Sequence, residues 1–210
     1  MILFLNDGKV SEQEGIDTLR KLRENIGKEE VTAVNMTGVV DWYKTHRALE
    51  EANALVLACN VSMGGIPADI LRFLETVEQA VIEGESIPGK FYAILYTDLY
   101  EGEQTSVAMG ILKSFCCHAN ITWGRGLGIG GSNMAAVKKP SFFPLFCNKS
   151  KARAAVNHLS VPIIEHALYI REHMQGLDHF ISPQGVSKDR YMRRVNYYAR
   201  KNHRIKIAHD

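Results

Sequence analysis

Short apolar runs alternate along this chain with segments in which apolar residues recur every three or four positions. Residues 2–5 are an apolar run stopped by Asn6, Asp7 and Gly8, which predicts a strand ending in a turn. Ile16, Leu19, Leu22 and Ile26 then fall at helical spacing, and Gly27 closes the segment. Residues 31–36 predict a second strand, and residues 41–51 a short helix with Asp41 as its N-cap. Residues 54–59, Ala-Leu-Val-Leu-Ala-Cys, are apolar without interruption, as suits a strand buried on both faces of a parallel sheet. Ile66, Ile70, Phe73, Leu74, Val77 and Val81 form the stripe of the next helix, with Pro67 suited to its first position. Residues 91–96 predict a fourth strand and residues 97–104 a polar loop. Val107, Ile111, Leu112 and Phe115 then predict a further helix. A fifth strand starts at residues 121–123 and enters a glycine-rich stretch, 124–131. Residues 132–149 read as a long loop. Val156, Leu159, Ile163, Ala167, Ile170 and Met174 mark a last long helix, bent near Pro162.

Five strands with intervening helices predict an α/β three-layer sandwich around a five-stranded parallel sheet. Ligands of such sheets bind at the carboxyl ends of the strands, near the point where strand order reverses. Three loops qualify: 6–15, 60–65 and 97–104. In the second, Gly64 and Gly65 let the backbone approach a planar ligand, Asn60 and Ser62 offer hydrogen-bonding groups, and Met63 offers a soft apolar contact. The N-terminus of the following helix presents free N–H groups. A tight strand-to-helix turn with no ligand fits the same residues.

Composition sets the outer limits. With 210 residues, 46% apolar, 23% charged and a net charge of +2, the chain is too apolar to be disordered over most of its length. No apolar run approaches the roughly 20 residues of a membrane span. With no secretory leader, Cys59, Cys116, Cys117 and Cys147 are expected as thiols in a reducing, cytoplasmic setting. The charge is unevenly spread. Residues 186–210 hold eight Lys or Arg and two acids, and the preceding 185 residues are net acidic. Pro183 and Gly185 mark the expected boundary between a domain at 1–185 and a basic tail or arm at 186–210. The tail suits an anionic partner such as nucleic acid. It also suits packing on its own acidic body or on a second subunit, and the absence of a nucleic-acid-binding motif weights the reading toward packing.

Other signals carry less. Gly126-x-Gly128-x-x-Gly131 matches the dinucleotide fingerprint in letters but lacks the acid expected about 20 residues on. Cys116-Cys117-His118 lacks the further ligands a structural zinc needs, and His166 and His173 are too far apart to pair on a metal. Neither a Gly-x-Ser-x-Gly elbow nor a phosphate-binding Gly-Lys-Ser/Thr loop is present. No catalytic side chain and no metal site is nominated.

The run from Ala54 to Glu75, with Arg72-Phe73-Leu74 on its helix, resembles the third strand, ring-contacting loop and following helix of the flavodoxin-like NAD(P)H-dependent FMN reductases. Residues 89–97 are similar to that family's fourth strand, which leads into its second ring-contacting loop. Residues 126–131 are similar to its stretch after the fifth strand. The resemblance covers roughly residues 1–175. It implies strand order 2-1-3-4-5 and FMN as cofactor, with Gly8, Lys9 and Ser11 at the phosphate. Asn60, Val61, Ser62, Met63, Gly64, Gly65, Thr97, Asp98 and Tyr100 would border the ring. It also implies NAD(P)H as co-substrate, a quinone, free flavin or other small-molecule electron acceptor, and a homodimer. The first loop departs from the family's pattern, because Asp7, Glu12 and Glu14 would repel a phosphate. The alternative is therefore a flavodoxin-fold binding or regulatory module that has lost flavin and whose basic tail contacts a partner.

Overall fold

A computed structural model describes residues 1–6, 31–36, 41–131, 177–183 and 187–207, together with Glu24, His158, Leu159, Val161 and Ile163. Strands β1 (Ile2–Asn6), β2 (Val31–Asn35), β3 (Ala54–Val61), β4 (Lys90–Thr97), β5 (Trp123–Ile129) and β6 (His179–Ile181) form one sheet in the order β2-β1-β3-β4-β5-β6. Every neighbouring pair is parallel. Helices α1 (Trp42–Glu51), α2 (Ala68–Ile82), α3 (Ser106–His118) and α4 (Lys188–Ile207) and a 3₁₀ turn (Gly102–Thr105) complete the described elements. The first five strands have the expected order. The sixth corrects the five-stranded expectation. It is three residues long, too short to leave a periodic signature, and it pairs with the otherwise open edge of β5.

The period of two along each strand sorts the core into two layers. Leu3, Leu5, Leu55, Leu57, Cys59, Val61, Phe91, Ala93 and Leu95 face Leu49 of α1, Ile70, Phe73, Leu74 and Val77 of α2, and Met109, Leu112 and Phe115 of α3. Ile2, Phe4, Val56, Tyr92, Ile94 and Tyr96 face the other way, where Leu159 and Ile163 cover them. Burial on both faces is why 54–59 carries no polar residue. Asp41 caps α1 as expected, its carboxylate accepting from the Lys44 N–H at 3.3 Å.

Two expectations change in the second half. The stretch 126–131, likened to the segment after the fifth strand, is largely the strand itself: β5 runs Trp123–Ile129, and only Gly130 and Gly131 follow it. Register shifts between Phe91 and Tyr92, so that Phe91 pairs with Trp123 and Tyr92 with Arg125. Past this bulge the even-numbered residues of β5 face α3. An added Cβ at Gly126 would lie 2.2 Å from the Met109 sulfur, and one at Gly128 2.2 Å from the Thr105 hydroxyl oxygen. Side chains of α3 and of the 3₁₀ turn rest directly on the β5 backbone here, and glycine is the residue that leaves room for them. The same contact turns α3. Ala108, Met109, Leu112, Phe115 and Cys116 are buried, whereas Val107 and Ile111, expected in the stripe, are 64% and 39% exposed.

Asp178 fastens β6. Its side chain is 9% exposed and forms an ion pair with Lys113. It also accepts from the Trp123 indole N–H at 3.1 Å and the Gly126 amide at 2.9 Å. No helix among the described residues is long and apolar enough to cross a membrane. The expected helices over 16–26 and beyond 163, and the loop 132–149, lie outside the described residues.

Candidate functional site

β3 and β4 end side by side, with Val61 paired to Thr97, so the chain leaves the sheet there as two neighbouring loops. Strand order reverses next to them, since β2 lies on one side of β1 and β3 on the other. The loop after β3 is a two-residue turn. The Ser62 N–H donates to the Gly65 carbonyl at 3.2 Å and the Gly65 N–H to the Ser62 carbonyl at 2.9 Å. Met63 has φ +50° and Gly64 φ +78°, both left-handed, which is the primed turn geometry. Glycine takes that conformation freely, but methionine pays about 1 kcal/mol for it. Met63 is nevertheless fully exposed, and a Cβ at Gly64 would meet nothing within 4 Å. A strained, fully solvated apolar side chain thus stands at the carboxyl end of a central strand.

The other nominated residues are placed differently. Ser62 is exposed beside Met63, while Asn60 sits half-buried in β3 opposite Tyr96. Val61 is 3% exposed in the helical-side core, where it supports the turn from below. Thr97 is buried, and its hydroxyl accepts from the Leu99 N–H at 3.2 Å. Asp98 and Leu99 form the exposed rim of the β4 loop. Gly8, Lys9 and Ser11, with the acids Asp7, Glu12 and Glu14, lie outside the described residues.

Sequence reasoning weighted the basic tail toward packing on the body or on a second subunit, but did not foresee that it covers the β4 loop. The first turns of α4, in the basic tail, dock on it. Tyr191 is 1% exposed and donates its hydroxyl proton to the Asp98 carbonyl. Its ring lies 5.6 Å from that of Tyr100, tilted by 58°, with Val195 packed alongside. Tyr100 donates to the Pro183 carbonyl at 3.0 Å, and the Gly102 N–H donates to the Ser182 hydroxyl at 3.2 Å. Lys188 pairs with Glu101, which holds the Glu101 carboxyl below its usual range and the Lys188 ammonium above its own. Burial pushes the Tyr191 hydroxyl up to about 12. The one signal that could have found this docking face is Tyr191 and Val195, apolar and four apart in an otherwise polar segment.

The described residues therefore fit a flat apolar ring on one side only. The 62–65 turn offers open backbone and an exposed thioether. The Asp98 carbonyl and the Tyr100 ring are already engaged by the tail. The Gly126-x-Gly128-x-x-Gly131 run holds no dinucleotide, because its first two glycines are filled by Met109 and Thr105. Among the described residues no cluster of His, Cys, Asp or Glu could hold a metal. In the Cys116-Cys117-His118 run, Cys116 is buried with its thiol pushed up to about 12, Cys117 is exposed, and His118 lies 3.5 Å from Glu78. His166 and His173 lie outside the described residues.

Sheet order, layering and the position of these loops define a flavodoxin-like α/β protein. Solved structures agree on the fold. An NADPH-quinone reductase from P. pentosaceus is similar with a TM-score of 0.52 at 12% identity, over 79% of this chain and 96% of that one. A WrbA-like flavodoxin from Agrobacterium tumefaciens matches with the same score and identity, over 79% and 97%. General stress protein 14 from Treponema denticola, solved in complex with FMN, matches with a TM-score of 0.54 at 10% identity, over 77% and 98%. No family model and no curated protein matches the sequence.

Proposed function

We propose that this protein is an FMN-binding, NAD(P)H-dependent oxidoreductase that passes electrons to a small acceptor such as a quinone or free flavin. The observation that carries the reading is Met63, left-handed and fully exposed at the tip of the turn after β3. The backbone of Met63, Gly64 and Gly65 would lie against the ring, and the Asp98–Leu99 rim would border its far edge. Gly8, Lys9 and Ser11 would receive the phosphate. When bound, the flavin supplies the hydride-accepting chemistry. This chain's residues orient the ring and leave one face open to a nicotinamide. A homodimer in the cytoplasm completes the proposal.

The test is the visible spectrum of the full chain after FMN is added and free flavin removed, followed by anaerobic NADPH. Retained flavin bands that bleach with NADPH support the reading. A second reading, a flavodoxin-fold binding module without flavin, is favoured by the docking of Tyr191 on the Asp98 carbonyl and the Tyr100 ring. A colourless protein that releases FMN supports that one. Replacing Glu12 and Glu14 by Ser distinguishes the two causes of weak binding. Affinity rises if the first loop faces the phosphate and stays flat if it does not.

A further inference from the structure

The tail forms a helix, and that helix sorts its charges. α4 runs for 20 residues, Lys188–Ile207, so it is about 30 Å long. Each residue advances about 100° around the axis. Positions 190, 193, 194, 197, 200, 201 and 204 consequently fall within an arc of about 120°. Six of the seven are basic: Arg190, Arg193, Arg194, Arg200, Lys201 and Arg204. The seventh is Tyr197. Tyr191 and Val195, the residues docked on the body, lie about 140° from the centre of that arc. Arg190, Arg193 and Arg194 are exposed, and Tyr197 is 62% exposed. Lys188, whose ion pair with Glu101 joins the helix to the body, is outside the arc.

We propose that this face of α4 binds the phosphate backbone of a nucleic-acid duplex. The docking of Tyr191 and Val195 fixes the start of the helix with Arg190, Arg193 and Arg194 exposed, and Arg200, Lys201 and Arg204 continue the same helical arc in sequence. Basic positions recurring along one arc of a helix match a polymer that presents a negative charge every few ångströms. Five of the six cations are arginine, whose planar fork engages phosphate through paired hydrogen bonds. Tyr197, in mid-arc, can donate to a phosphate or sugar oxygen. A membrane surface fits less well. A helix lying on lipid needs an exposed apolar face, and here Tyr191 and Val195 are packed on the protein body, leaving Met192 as the one exposed aliphatic side chain among the described residues of the helix.

The test uses the full chain and a fluorescein-labelled duplex DNA of about 20 base pairs, the length of two helical turns, followed by anisotropy. With about six phosphates engaged, affinity falls about a thousandfold between 50 mM and 200 mM salt. R190Q/R193Q/R194Q weakens binding at least about tenfold and halves the salt slope, whereas R190K/R193K/R194K retains the slope. K44Q/R47Q/R72Q, the same charge change at exposed sites elsewhere, leaves binding unchanged. Circular dichroism confirms that each variant is folded. Equal weakening by the off-helix triple overturns the proposal, since net charge alone would then explain binding. So does poly-glutamate competing as well as unlabelled duplex, which would point to an acidic protein. Self-association at low salt, abolished by the α4 triple in the absence of any duplex binding, would reassign the face to a second copy of this chain.

Discussion

Adding one methyl group at Gly128 should destabilise this protein by about 2–3 kcal/mol, the upper part of the range for overpacking a filled interior. The ideal Cβ lies 2.2 Å from the Thr105 hydroxyl oxygen, 2.6 Å from a Phe180 ring carbon and 3.0 Å from the Gly102 carbonyl. Ordinary contacts are about 3.5–4.0 Å, so relief needs a movement of about 1 Å. Little can move. The Thr105 hydroxyl donates to the Gly102 carbonyl at 2.8 Å and is wholly buried. Gly102 itself abuts the backbone of Ile181, where its own Cβ would come within 2.5 Å. In a chain of this size, 2–3 kcal/mol lowers the melting temperature by about 5–10 °C. Thermal and urea unfolding, followed by circular dichroism and tryptophan fluorescence, read the effect.

Two companions separate steric overlap from the intrinsic cost of losing a glycine. Gly110→Ala, within α3 where a Cβ would meet nothing within 4 Å, should gain about 0.5–1 kcal/mol. Thr105→Ala removes the nearest atom, so in a double-mutant cycle it should recover about 1 kcal/mol of the Gly128→Ala loss. If Gly128→Ala melts with the wild type, or if the two substitutions add without coupling, the claim that the 3₁₀ turn packs directly on β5 at Gly128 is refuted.

Other expectations follow from single contacts. Asp178→Ala strips Lys113, Trp123 and Gly126 of a shared buried acceptor and should cost about 3 kcal/mol, read by urea unfolding; a loss below about 0.5 kcal/mol would show that the clamp is ornamental. Met63→Gly relieves the left-handed strain and should stabilise the fold by about 1 kcal/mol while weakening FMN binding. Stabilisation with unchanged flavin affinity would remove Met63 from the ring. The Tyr191 hydroxyl titrates higher in the folded state than the ordinary value of 10.0, at about 12. Its neutral form is therefore the stabilised one, and its contribution is complete below pH 10 and lost as pH rises from 10 to 12. Near-ultraviolet tyrosinate absorbance should show two tyrosines, Tyr92 and Tyr191, ionising late, and Tyr191→Phe should halve that late step. Cys117 should react with a thiol reagent in the native protein, whereas the buried Cys59 and Cys116 react only on unfolding, as mass spectrometry of labelled peptides would show.

Much of the architecture was legible because it rests on local rules. Uninterrupted apolar runs at 54–59 and 91–96 demand a sheet covered on both faces, and helical spacing between them demands parallel crossovers. Asp41 could be read as a cap because a capping carboxylate needs only the amides three residues on. The 60–65 segment was legible as a turn from its two glycines. That Met63, and not only glycine, would be left-handed was not. The arrangement of charge on α4 was also implicit in the sequence, but it acquires meaning only once the segment is known to be a helix.

What needed the tertiary structure is what depends on distant partners. The glycines of 124–131 look like loop residues by composition. Gly124, Gly126 and Gly128 are nevertheless strand residues, and Tyr92, Met109 and Thr105 occupy the space their side chains would take. Val107 and Ile111 carry the right spacing for burial, yet the helix turns to seat Met109 over Gly126 instead. β6 exists because Asp178 finds Lys113 and Trp123, residues some sixty positions away. The tail covers the β4 loop because Tyr191 meets the Asp98 carbonyl across 93 positions. Periodicity records which residues share a face of one element. It carries no information on which of two apolar faces a distant backbone will approach, because that choice is made by the volume left when the other elements have packed.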